Sequence, residues 1–270
     1  MPEVAFFFDV DGVLVNSHRF QAMAIHESLK QVAAENSLTV QLPSLEVIET
    51  QLVGGTEAVA LARITKLVPA LTKHMPVVVT LAWQLYFTSI QQNVQEFAIQ
   101  STVSLLRTLY EIGHVVCLVS NSKRSDVQSY CKLLNLDFVL EHENMIIGAE
   151  DFTAPKPAPD PYLVAIDRFG IDPSCCMVFE DSVPGVLAAQ AAGTYVIALE
   201  SRYVTKDDLF DAVAKEVVES LYHAKHLIRH AYTPAAYSPY SADNTFLRVV
   251  TMQDQPHSIQ ENIVDQTFKI

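Results

Sequence analysis

Basic stretches are missing from this chain. Its 270 residues carry 18 Lys and Arg against 31 Asp and Glu, a formal net charge of −13 at neutral pH. Such a balance repels nucleic acid and anionic membranes, so neither is expected as a partner, and a phosphate-bearing ligand must be received by a local positive site. Cysteine is scarce as well. Cys117, Cys131, Cys175 and Cys176 form no Cys-X-X-Cys motif and most lie in apolar runs, which reads as buried thiols in a reducing compartment. No basic leader precedes the first apolar strand, so no signal peptide is expected and the expected location is cytoplasmic. The one long uncharged stretch, residues 75–95, is diluted by Pro, Thr, Gln, Ser and Asn. A membrane crossing there would separate Asp9 from later motifs that it has to meet, so this stretch reads as a buried helix. Internal repeats and low-complexity tracts are absent.

Half of the residues are hydrophobic and the mean hydropathy is +0.19. That suits a well-packed soluble enzyme of one or two domains and excludes a disordered chain. From residue 98 onward helical and strand patterns alternate with short connections, the signature of a parallel sheet wrapped by helices. Helical patterns over 102–112, 161–169 and 183–192 each stop at a glycine (Gly113, Gly170, Gly193), and apolar strands follow at 115–119, 177–179 and 195–199. A further strand, 4–8, lies far upstream. Residues 17–96 are helical throughout: Phe20, Met23, Ala24, Leu29, Val32 and Ala33 recur near helical spacing, Thr56 caps a helix running to Leu67, and Pro76 opens another. The expected architecture is α/β, a Rossmann-like doubly wound parallel-sheet core (1–16 and 97–228) with an inserted all-helical cap domain (17–96). After residue 199 a helix over 206–226 is expected, then a C-terminal extension (229–270) of unknown role with one apolar run at 246–250. That extension suits a strand pair, an oligomer contact or partial disorder.

Two carboxylates, Asp9 and Asp11, stand where the first strand runs out, and Gly12 follows at once. In open α/β sheets ligands bind beyond the carboxyl ends of parallel strands, so this pair lies at the working edge, where a metal and a phosphate can be held. An acidic turn after a core strand is the plainer alternative. A calcium loop is not supported, because it would carry a bidentate Glu at its twelfth position, and the twelfth residue counted from Asp9 is Phe20. Three more strand ends carry polar groups: Ser120-Asn121-Ser122, Lys156 between Pro155 and Pro157, and Glu180-Asp181-Ser182. Each has its own bland explanation, a helix cap, a solvated lysine and a turn. Together they fall at the carboxyl ends of strands in one sheet, which topology brings together.

With these residues in order, Phe8-Asp9-Val10-Asp11-Gly12-Val13-Leu14-Val15, Val119-Ser120-Asn121-Ser122, Lys156-Pro157-Ala158-Pro159-Asp160 and Phe179-Glu180-Asp181-Ser182 with Gly185 and Ala191-Ala192-Gly193, the chain resembles the haloacid dehalogenase superfamily. The likeness is to its phosphatase and β-phosphoglucomutase-like branch, which has a helical cap after the first motif, and it spans residues 4–225. The resemblance implies that Asp9 is a nucleophile forming an aspartyl-phosphate and that Asp11 is the acid and base for leaving group and water. It implies that Ser120, Asn121 and Lys156 bind the transferring phosphate, with Lys156 also pairing with Asp9. It implies a Mg²⁺ cofactor held by Asp9, the Asp11 carbonyl and Asp181, with Glu180 one layer out on a metal-bound water.

The activity so implied is a Mg-dependent hydrolase, a phosphatase acting on a small-molecule phosphorylated metabolite such as a sugar phosphate or sugar-acid phosphate. A β-phosphoglucomutase-like mutase is the alternative within catalysis, and a non-catalytic phosphometabolite-binding regulator is the alternative outside it. Gln21 and Glu57 occupy the places where mutases of the branch carry a cap His and Arg, which favours hydrolysis. Asn16 replaces an Asp common after the first motif. His223, His226 and His230 fall at helical intervals, compatible with a metal site or with an ordinary polar helix face.

Overall fold

The computed structural model describes residues 4–53 and 56–222. Six strands form one parallel sheet: β1 (Ala5–Phe8), β2 (Val115–Val119), β3 (Ile146–Ile147), β4 (Cys176–Glu180), β5 (Tyr195–Leu199) and β6 (Glu216–Val218), in the order β3-β2-β1-β4-β5-β6. The chain builds outward from β1 to β3, returns to the other side of β1 and builds outward again. That reversal opens a crevice beside the carboxyl end of β1. Phe8 sits level with Leu118 on one side and Phe179 on the other, so the residues that follow the three strands emerge at one height. β1 is four consecutive apolar residues, all buried, because helices cover both sheet faces.

Helices α1 (Ser17–Glu35), α2 (Leu45–Leu52), α3 (Glu57–Leu67), α4 (Met75–Gln92) and the single turn α5 (Val94–Phe97) lie between β1 and the helix α6 (Gln100–Glu111) that leads into β2. Their starts are written locally. Ser44 accepts from the Val47 amide and Thr56 from the Val59 amide, and Pro76 occupies the first turn of α4. They bury a core of their own, with Leu29, Val32, Ile48, Ile64, Leu71 and Val78 at its centre. The segment leaves and returns through paired backbone: the Asn16 amide donates to the Phe97 carbonyl (2.7 Å) and the Ile99 amide to the Leu14 carbonyl (3.0 Å). Asn16 closes this neck by donating its side-chain amide to the Glu96 carbonyl at 2.9 Å. Higher up, the buried hydroxyls of Tyr86 on α4 and Tyr130 meet at 2.8 Å. α4 buries one face only (Met75, Val78, Ala82, Tyr86, Ile90), so the long uncharged stretch is a partly buried helix rather than a wholly buried one.

Beyond β2 follow α7 (Arg124–Leu133), α8 (Asp137–Leu140), α9 (Asp160–Phe169), α10 (Val183–Ala191) and α11 (Lys206–Asp211). Gly113, Gly170 and Gly193, just past α6, α9 and α10, all have positive φ. The expected helix over 206–226 is corrected. It ends at Asp211, and Glu216-Val217-Val218 instead pair with β5, where β-branched residues find a ladder and an apolar surface that a helix would deny them. Among the described residues no helix is long and apolar enough to cross a membrane. His223, His226, His230, Gly54-Gly55 and the extension 229–270 lie outside the described residues.

Candidate active site

The four polar strand ends converge. Lys156 is buried, and its ammonium donates to Asp9 Oδ1 at 2.6 Å, Glu180 Oε1 at 2.7 Å and the Val119 carbonyl at 2.8 Å, so its three protons are all engaged. The loop carrying it is tied down by Asn121, whose Oδ1 accepts from the Lys156 amide at 3.1 Å. Asp11 turns aside: its Oδ2 accepts from the hydroxyls of Ser122 (2.8 Å) and Ser120 (3.3 Å), while its Oδ1 is buried without a hydrogen-bond partner.

Carboxylate oxygens of Asp9, Glu180 and Asp181 lie within 4.8 Å of one another, all three residues buried. Burial, then the neighbouring Glu180, pushes the Asp9 carboxyl up to about 8 against the pull of Lys156. Asp181 is raised well above the carboxylate range by burial and by Asp9 and Glu180. Burial on its own would lower the Lys156 ammonium, but Asp9 and Glu180 overcome this and raise it above the lysine range. Three buried acids therefore share one lysine, an arrangement short of positive charge. A hard divalent cation with oxygen ligands fits that donor set.

Glu180 is held by protein groups on both oxygens. Its Oε1 accepts from Lys156 and from the Tyr162 hydroxyl (2.6 Å), and its Oε2 accepts from the Asp181 amide (3.2 Å) and the Ser182 hydroxyl (3.3 Å). The protein itself satisfies this carboxylate, which anchors Lys156. Two glycines allow the crowding. A Cβ on Gly12, at φ +91°, would fall 1.8 Å from Asp181 Oδ2, and one on Gly185 would fall 2.0 Å from the Glu180 carboxylate.

The site opens into a cavity of about 430 Å³ that runs from Asp9, Asp11, Ser120, Asn121, Lys156 and Asp181 to the helices of the inserted segment. Gln21 and Glu57 both line it. Sequence reasoning missed His18, whose ring also lines the cavity and whose pKa is lowered by burial against the opposing influence of Asp11 and Glu49. It missed Tyr162 as well, because a tyrosine one turn into a helix carries no local sign that its hydroxyl meets a strand end.

A parallel sheet with this crevice, two aspartates after β1 and a buried lysine define an α/β protein with a candidate ligand site at the carboxyl edge of its sheet. The chain belongs to the haloacid dehalogenase-like hydrolase family, whose model matches residues 4–193. A bifunctional riboflavin kinase/FMN phosphatase of Arabidopsis thaliana is 41% identical over 117 residues, covering 43% of this chain and 30% of that protein. A phosphoglycolate phosphatase of Haemophilus influenzae is 27% identical over 202 residues, covering 73% of this chain and 85% of the relative. Among solved structures, a HAD family hydrolase from Deinococcus radiodurans with bound phosphate and sodium superposes with a TM-score of 0.64 at 25% identity, covering 85% of this chain and 96% of that one. The chain spans less than a third of the length of the first three curated relatives it matches.

Proposed function

We propose that this chain is a Mg²⁺-dependent phosphomonoesterase acting on a small phosphorylated metabolite through an aspartyl-phosphate on Asp9. The observation that carries the reading is the meeting of Asp9, Lys156 and Asp181 at the sheet crevice, with the Asp11 side chain held off that cluster by Ser120 and Ser122. Two relatives named as phosphatases add support.

In this reading Asp9 attacks phosphorus as the bond to the leaving oxygen breaks, and Asp11, as general acid, gives that oxygen a proton. Asp11 then takes a proton from water, the resulting hydroxide attacks phosphorus, and the acyl-phosphate bond breaks to return Asp9 and release inorganic phosphate. Lys156 offsets charge on Asp9 and the phosphoryl oxygens, and Ser120 and the Asn121 amide bind those oxygens. Asp9, Asp181 and the Asp11 carbonyl would hold the cation, which when bound supplies the positive charge that lets one anion approach another. The helical segment 17–96 acts as a cap that excludes water, and the neck at Asn16 and Phe97 is where it is joined.

The test is release of phosphate from p-nitrophenyl phosphate with and without Mg²⁺, for the wild type and Asp9→Asn. Mg²⁺-dependent release by the wild type and none by a folded Asp9→Asn is expected. Steady-state hydrolysis by that variant would defeat the nucleophile assignment, and an inert wild type would defeat the phosphatase.

A further inference from the structure

Resting on the phosphatase reading, we propose that the alcohol half of the substrate is uncharged and apolar, carrying a ring system, rather than a sugar, a sugar acid or a second phosphate. Ile25 of α1, Leu61 and Ile64 of α3, and Val79 and Trp83 of α4 form an apolar wall of the 430 Å³ cavity that also holds the carboxylates. Ile25, Leu61, Val79 and Trp83 are only half-buried, so apolar surface is left facing the space where the leaving group must sit. Such surface is stabilised by an apolar occupant that removes it from water.

Charge on the wall points the same way. Among the described residues no lysine or arginine between 17 and 97 lines the cavity, whereas Glu57 does; beyond that segment the lining carries Lys123 with Asp126, and Lys156 at the carboxylates. A carboxylate or second phosphate seated against the inserted segment would meet Glu57 and no cation. Glu57 is also engaged, its Oε1 accepting from Trp83 Nε1 at 3.1 Å, which orients the indole. His18, Gln21, Thr56 and Tyr86, whose hydroxyl already bonds Tyr130, remain as polar groups of the inserted segment on this lining, too few to satisfy the hydroxyls of a sugar. A planar ring beside Trp83 suits the space, since aromatic pairs gain from offset or edge contact beyond the area they bury.

The experiment compares kcat/KM for 2-phenylethyl phosphate, ribose 5-phosphate and 2-phosphoglycolate, all alkyl phosphates, so leaving-group lability does not decide the outcome. In each case water splits the ester into the alcohol and inorganic phosphate. The phenylethyl ester should lead both others by at least about tenfold, the scale on which an apolar pocket discriminates. Leu61→Lys, or Val79→Lys should the first fail to fold, should shrink that lead and raise the rate on 2-phosphoglycolate. Equal or better turnover of ribose 5-phosphate or 2-phosphoglycolate by the wild type overturns the proposal and leaves the phosphatase standing. Should none of the three esters be hydrolysed, p-nitrophenyl phosphate decides the phosphatase reading and binding decides the ligand class. Trp83 is the chain's one tryptophan, so quenching by 4-nitrophenyl phosphate in Asp9→Asn reports occupancy of the wall. Saturable quenching relieved by 2-phenylethyl phosphate but not by 2-phosphoglycolate upholds the ligand class, and its absence refutes it.

Discussion

Tyr162, on the first turn of α9, donates its hydroxyl proton to Glu180 Oε1 at the end of β4 across 2.6 Å, and the Lys156 ammonium stands 4.8 Å from the centre of its ring. Glu180 is wholly buried and holds Lys156 at 2.7 Å, so the tyrosine sets the orientation of the carboxylate that sets the lysine. The lysine in turn reaches Asp9. A chain of three contacts thus runs from a helix to the proposed nucleophile, each made by groups with no room to move.

Tyr162→Phe removes one donor from a buried carboxylate and keeps the ring. The expected loss is about 1.5–3 kcal/mol of stability, the range for hydrogen bonds to charged groups. If Tyr162 positions Lys156, kcat falls while KM for the phosphoester holds nearly constant. Thermal denaturation and steady-state kinetics on the same preparation check both, and a variant indistinguishable from the wild type in each would discount the contact.

Magnesium should raise the melting temperature by an amount that grows with its concentration, reaching the equivalent of about 2.7 kcal/mol at a hundred times its dissociation constant. Asp181→Asn should lose most of that gain. In EDTA the same variant should be no less stable than the wild type, because burial and the charges of Asp9 and Glu180 already penalise the ionised Asp181. Differential scanning fluorimetry across a Mg²⁺ titration reads both. A full magnesium response in Asp181→Asn would remove that residue from the metal set.

Asp151 offers a pH test away from the site. Partial burial raises its pKa, but the Gly148 amide and the guanidinium groups of Arg124 (2.6 Å) and Arg168 (3.0 Å) outweigh this and hold it below the carboxylate range. A depressed folded-state pKa contributes stability that is complete above the unfolded value and drains away as pH falls through the folded one. Asp151→Asn should therefore cost about 1–2 kcal/mol at pH 7, and the gap to the wild type should close as acid protonates Asp151. Urea denaturation at pH 7 and at successively lower pH measures it, and a gap that does not vary with pH would contradict the assignment.

Much of the sheet could be read along the chain. Val115–Val119 and Tyr195–Leu199 are apolar runs whose bounds the pattern already carries, and a glycine after α6, α9 and α10 marks where each helix turns back. β6 escaped because three residues beside a helical pattern become a strand only where β5 presents an open edge. The apolar wall escaped for a related reason. Ile25, Leu61, Val79 and Trp83 have the spacing of ordinary core residues, and only the packing of α1, α3 and α4 brings them to the cavity that the carboxylates also line.

By itself the sequence determined the order of elements, the insertion of helices after the first strand, and which polar residues stand at strand ends. Hydrophobic period, glycine placement and capping side chains act over a few residues and need no distant partner to be legible. Tertiary structure alone decided that Glu180 anchors Lys156, that Tyr162 completes that anchor, and that α1, α3 and α4 put apolar side chains on the cavity that holds Asp9. Those properties arise when residues far apart in the chain share one low-dielectric space, where each charge takes its meaning from neighbours that no local pattern names.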